Sequence, residues 1–128
     1  MRIHGDDRRL FFGDLFSTES GDVNIVVLLP GATCAWHRHK EQDDRLFCVQ
    51  GTVKVGITTG PTDTVTWEVL SDRDPRIVTI ERGLWHGYMN IGPDRAILVG
   101  YNNRKYDGTD EERMTVFAMG HEWQPVPR

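Results

Sequence analysis

The chain has 128 residues, 38% of them hydrophobic and 27% charged, which fits one globular domain over residues 1–128 with room for a single core. Its formal net charge of −4 argues against nucleic acid or an anionic membrane as the main partner, since both want a basic surface. No apolar run approaches the roughly 20 residues that cross a bilayer, and the opening MRIHGDDRRLFFGDLF lacks the apolar stretch and cleavage site of a secretory leader, so the expected compartment is the cytoplasm.

Taken in chain order, the sequence reads as short strands fenced by turn residues. VNIVVLLP (23–30) is β-branched and apolar on both faces, which predicts a buried strand ended by Pro30-Gly31. RLFCVQGTVKVGIT (45–58) reads as two strands broken at Gly51, with Val53, Val55 and Ile57 alternating against Lys54 and Gly56. VTWEV (65–69) alternates Val65, Trp67 and Val69 against Thr66 and Glu68, and RIVTI (76–80), LWHGYMNI (84–91) and AILVGY (96–101) follow. Helical periodicity is scarce; the acidic GTDEERM (108–114) is the one short helical turn expected, with Asp110, Glu111 and Glu112 as its solvated N-terminus. Many short strands at 8–12-residue spacing predict an all-β sandwich or small barrel, and an eight-stranded roll of this size encloses a pocket for one small ligand. Because the strands carry apolar residues on both faces and a small barrel has one interior, a homodimer is expected. Its candidate interface is LFFGDLF (10–16) and the outer face near Trp85.

Two stretches carry chemistry. In GATCAWHRHKEQDDRLFCVQG (31–51), strand alternation puts His37 and His39 on one face and Cys34, Trp36 and Arg38 on the other. Two imidazoles so spaced can converge on one point, and Asp44 follows a short loop that can close the set. Asp43 is read as its exposed neighbour. In ERGLWHGYMNIG (81–92), His86, Tyr88 and Asn90 share a face, opposite Trp85 and Met89.

Together these stretches resemble the two signatures of the cupin superfamily. The first is glycine, five residues, His-x-His, four residues, an acid, six residues and glycine, here Gly31, His37, His39, Asp44 and Gly51. The second appears as Gly83, His86 and Asn90, with Glu81 where the family usually has proline. The resemblance implies an all-β cupin jelly-roll (double-stranded β-helix) barrel of antiparallel strands, its interior lined by His37, His39 and His86. A closer likeness is to small cupins related to dTDP-4-dehydrorhamnose 3,5-epimerase, carried by AWHRHKEQDDRLFCVQGTVKVGI and GLWHGYMNIGPDRAILVGYNNRKYD. It implies a nucleotide-linked 4-keto-6-deoxy sugar as substrate, no metal, and His37 at the position of the family's catalytic histidine. Where that family has an arginine three residues earlier this chain has Cys34, and the late-strand tyrosine falls at Gly100, beside Tyr101.

Three functions from different classes follow. The leading one is an epimerase or isomerase of a carbonyl-containing, sugar-like small molecule, with His37 as base and His86 or Tyr88 as partner. The second is a metal-dependent oxygenase or isomerase with His37, His39, Asp44 and His86 around one divalent transition metal (Fe, Mn, Ni, Zn or Cu), a choice that affinity alone does not make. The third is a non-catalytic ligand-binding cupin. Arg38 and Arg45 are expected in solvated salt bridges rather than on a ligand's phosphate or carboxylate. The aromatics are expected in packing, Tyr88 being the best placed for the pocket. His4 and His121 carry no spacing signal. Cys34 and Cys48 are the two cysteines, expected reduced, packed and slow to react.

Overall fold

The computed structural model describes residues 1–16, 18–105, 108–120 and 123. The described residues form strands and no α-helix: β1 (Arg2–Gly5), β2 (Arg9–Gly13), β3 (Asp22–Leu28), β4 (Thr33–His39), β5 (Asp44–Gln50), β6 (Thr52–Thr58), β7 (Thr66–Ser71), β8 (Ile77–Ile80), β9 (Trp85–Asn90), β10 (Ala96–Asn102) and β11 (Glu111–Arg113). They build two antiparallel sheets, ordered β1-β2-β3-β10-β5-β8 and β11-β4-β9-β6-β7.

The alternation in the sequence sets which side chains meet between the sheets. From the first sheet come Val26, Leu28, Leu46, Cys48, Val78, Ile80 and Leu98, and from the second Cys34, Val53, Val55, Leu70 and Tyr88; all are buried in one core. Gly51 joins β5 to β6 at φ 91, in the left-handed region that glycine enters without penalty. In β7 the alternation is real, but the inward residue is Leu70; Trp67 and Val69 face outward.

Two expectations are corrected here. GTDEERM is not helical: Glu111–Arg113 pairs with β4, Glu111 opposite His39 and Arg113 opposite His37. The pairing is favoured by charge across the strands, Arg38 to Glu112 at 2.8 Å and Lys40 to Glu112 at 3.5 Å. Asp110 is no solvated helix start; it is buried, and its carboxylate accepts the Lys40 and Glu41 backbone amides. The second correction concerns the outer face near Trp85. The chain covers it with its own C-terminal segment: Met114, Val116, Ala118, Met119 and Trp123 pack on Trp36, Trp67, Trp85 and Met89, and the Trp36 indole N–H donates to the Val116 carbonyl at 3.2 Å. Trp85 and Met89 are therefore buried within the chain itself.

Candidate functional site

The inner faces do not meet everywhere. Toward one end they leave a cavity of about 360 Å³, whose walls include His37, His39, Asp44, His86 and Tyr88 together with Arg9, Cys34, Gln42 and Glu111. His37 stands opposite His86 across the β4–β9 pair, and Cys34 stands opposite Tyr88. Cys34 and His37 thus share a face although three positions separate them, because the register shifts between them. The expectation that Cys34 points away from the histidines is corrected by this bulge, which inserts an unpaired residue and resets the alternation. Trp36 and Arg38 do point outward: Trp36 joins the aromatic cluster, and the Arg38 guanidinium lies 4.6 Å from the Trp85 ring.

Three ligand atoms converge. Those of His39, Asp44 and His86 all lie within 4.8 Å of one another. Asp44 Oδ2 is 3.3 Å from His86 Nε2 and 3.6 Å from His39 Nε2. The other carboxylate oxygen accepts from the Gln42 amide at 2.7 Å. His86 Nδ1 sits 3.0 Å from the Leu84 carbonyl, which can only accept, so Nδ1 carries a proton. Nε2 is left facing the Asp44 carboxylate, a position that a proton or a cation between them can fill. Two imidazoles and a carboxylate, one ring oriented through its far nitrogen by a carbonyl, match the donor chemistry of a divalent transition metal site. The set therefore fits such an ion. His37 is placed beside it, its ring 4.3 Å from that of His86 and edge-on, and is outside the set of three.

Burial decides the protonation of the rest. It pushes His37 well below its ordinary 6.5, and the neighbouring His86 and His39 push the same way. Burial also lowers His39, with Asp44 opposing. The Tyr88 hydroxyl is pushed up to about 12 by burial, Arg9 pulling the other way. At neutral pH burial thus favours the uncharged forms of His37 and His39 and the protonated Tyr88 phenol, the Tyr88 ring 6.1 Å from that of His37.

The chain belongs to the polysaccharide biosynthesis C-terminal domain family, whose model matches residues 4–114. It is 35% identical over 96 residues to the probable low-salt glycan biosynthesis epimerase Agl13 of Haloferax volcanii, a match covering 66% of this chain and 60% of that protein. Its fold is that of the capsular polysaccharide assembling protein CapF from Staphylococcus aureus (TM-score 0.82, 21% identity, 90% of this chain and 32% of that one). It is also that of oxalate oxidase in complex with glycolate (TM-score 0.69, 22% identity, 81% of this chain and 55% of that one). The fold is the all-β cupin. The chain spans 60% of the length of the epimerase it matches and about a third of CapF.

Within this cupin several site residues had no signal in the motifs. Gln42, between β4 and β5, is buried and lines the cavity. Arg9 is 79 positions from Tyr88, yet its Nη1 donates to the Tyr88 hydroxyl at 3.0 Å; its parity with Phe11 on β2 could have placed it inward. Asn90 shares the expected parity but serves the fold, donating to the Leu28 and Asp94 carbonyls. Asp43 ties Arg82 and Asn103 rather than standing free. Arg45 lies on the exposed outer face of its sheet, opposite Thr79. His4 is at the cavity rim, and His121 lies outside the described residues.

Proposed function

We propose that this cupin is an epimerase or isomerase that moves a proton beside the carbonyl of a sugar-like small molecule held in the barrel cavity. The observation that carries the reading is the placement of His37 and Tyr88 on one cavity wall, their rings 6.1 Å apart, where burial favours an uncharged imidazole and a protonated phenol. His37 takes the proton from the α-carbon, the bonding pair moves toward the carbonyl oxygen, and Tyr88 returns a proton on the other face, with His86 able to do so only when its Nε2 carries one; solvent then resets both groups. The membership in a polysaccharide biosynthesis family and the 35% identity to a probable glycan epimerase support a sugar. A nucleotide-linked keto sugar is the first substrate to try, and we place the reaction in the cytoplasm, where two buried, unpaired thiols stay reduced.

The second reading is a metal-dependent cupin, favoured by the convergence of His39, Asp44 and His86. These three residues, with His37 as a fourth candidate, would hold a divalent ion such as Fe, Mn, Ni, Zn or Cu, and bound there it would supply Lewis-acid polarisation of the substrate oxygen.

One preparation tests both. Solvent deuterium should enter the carbon next to the carbonyl, and His37→Asn should slow turnover by about 10²–10⁴-fold. Exchange that survives full chelation excludes the metal reading; turnover lost to a chelator and restored by metal supports it. Binding without exchange or turnover, with or without metal, leaves only a ligand-binding protein.

We further propose that a second copy covers the outer face of the six-stranded sheet. There Ile3, Phe12, Ile25, Val99, Phe47 and Ile77 form an unbroken cross-strand row. Its ends are 62% and 63% exposed at Ile3 and Ile77. Sedimentation of Phe47→Asp should give monomer where the parent gives dimer; a monomeric parent at micromolar concentration refutes the assembly.

A further inference from the structure

The cavity is lined by four arginines, Arg2, Arg8, Arg9 and Arg113. Three of them are neutralised by the protein. Arg2 pairs with Asp14 at 2.8 Å, Arg8 with Asp6 at 3.0 Å and Arg113 with Glu111 at 3.1 Å. Arg9 differs. Among the described residues no carboxylate forms an ion pair with it; its Nη1 donates to the Tyr88 hydroxyl at 3.0 Å, its guanidinium carbon is 5.6 Å from the Phe11 ring centroid, and its Nε is buried with no acceptor.

A guanidinium does not shed its proton at any working pH, so the charge cannot be removed by titration. Its polar neighbours do not cancel it either. Burial raises both the Tyr88 hydroxyl and the Cys34 thiol, so both are neutral at pH 7. A partly buried cation without a counter-charge is costly. The simplest source of the missing negative charge is something that enters the cavity.

We propose that Arg9 anchors an anionic group of the ligand, a phosphoryl or carboxylate, at the Tyr88 side of the cavity. Nε and Nη2 lie on one edge of the guanidinium, the edge that grips a single anion as a fork once the buried Nε turns toward it. The Tyr88 hydroxyl, which accepts from Arg9, keeps its own proton for the ligand. The anchor thus fixes the neighbouring part of the substrate against Tyr88 and His37. This deepens the reading of the cavity as a substrate site and rests on it.

Calorimetry with three matched probes, glucose 1-phosphate, glucuronate and glucose, tests the anchor at fixed ionic strength. The parent protein should bind at least one anionic sugar about tenfold or more tighter than glucose, the gain expected from one charge-assisted contact. A preference for the phosphate assigns a phosphoryl group, and a preference for glucuronate assigns a carboxylate. Arg9→Gln should bring the ratio close to one, Arg9→Lys should keep part of it, and Arg8→Gln, whose charge is already paired with Asp6, should leave it within about threefold. Millimolar inorganic phosphate should raise the melting temperature of the parent and not that of Arg9→Gln. No preference for either anion in the parent, including no binding of any probe, overturns the proposal, and so does an unchanged ratio in Arg9→Gln or an equal loss in Arg8→Gln. Should Arg9→Gln not fold, the parent ratio and the Arg9→Lys ratio decide. Proton exchange at the histidines is read separately by deuterium, so its failure with an intact anion preference removes the epimerase reading and not the anchor.

Discussion

Gly87→Ala would test the packing that brings the two histidine strands together. Gly87 lies between His86 and Tyr88 on β9, paired with Gly56 of β6. A Cβ at Gly87 would collide with the Ala35 Cβ and lie 2.9 Å from both the Ala35 Cα and the Cys34 carbonyl oxygen. Ordinary carbon contacts begin near 3.5 Å, so atoms of the β4 backbone must move by roughly 0.5–1 Å. Overpacking of this kind costs about 1–3 kcal/mol. At about 3–5 °C per kcal/mol for a domain of this size, the melting temperature should drop on the order of 3–15 °C. The displaced strand carries His37 and His39, so metal or ligand affinity should fall further than stability alone explains. Gly60→Ala is the control: its Cβ would meet only the Asp63 carboxylate at 3.4 Å, and a change within about 0.5 kcal/mol is expected. Thermal unfolding by near-ultraviolet circular dichroism reads both. A Gly87→Ala protein that melts with the parent and keeps its affinity refutes the claim that bare backbone here sets the β4–β9 distance.

Asp44→Asn should weaken metal binding by at least roughly 10²-fold, because the carboxylate shared by His39 and His86 loses its charge; Asp44→Glu should keep it, and equal titration curves for Asp44→Asn and parent would contradict the three-residue set. Without metal, stability should fall as pH drops below about 6.5, since the unfolded chain then protonates His37 while burial keeps it neutral in the fold; the loss should level once the folded His37 also titrates, and urea midpoints that stay flat from pH 8 to 5, or match those of His37→Gln throughout, would show the assignment wrong. Cys34 and Cys48 should label slowly with a thiol reagent, since both are buried and burial raises both thiols; rapid labelling of the folded protein would contradict this.

Much of the fold was legible because its strands obey a period of two and end at glycine or proline. Thr52–Thr58 announces itself by that alternation, while Asp22–Leu28 and Ala96–Asn102 stand out as short β-branched runs apolar on both faces. Glu111–Arg113 did not: three polar residues carry no apolar period, and they become a strand only because β4 offers an open edge with Arg38 and Lys40 placed to meet Glu112. The outer face near Trp85 read as an interface between copies for a related reason. Local sequence tells that an apolar face must be covered, and does not tell that Met114, Val116, Ala118, Met119 and Trp123 of the same chain will cover it.

The site divides along the same line. His37 and His39 were legible because a two-residue spacing on a strand fixes a shared face, and His86 by the spacing of the second motif; the pairing of His37 with His86 follows once β4 lies beside β9. What spacing cannot supply is the irregularity. The shift between Cys34 and His37 turns a thiol into the cavity wall below Tyr88, and no residue type in CAWH marks that extra step. Arg9 is hidden differently. In RRLFF its neighbour Arg8 is the same residue type, and only the register Arg9 opposite Leu28 sends one inward while the other remains exposed with Asp6. Two identical side chains thus receive opposite electrostatic fates from a single step of the pleat: Arg8 is satisfied within the protein, and Arg9 keeps an uncompensated charge beside the groups proposed to move the proton.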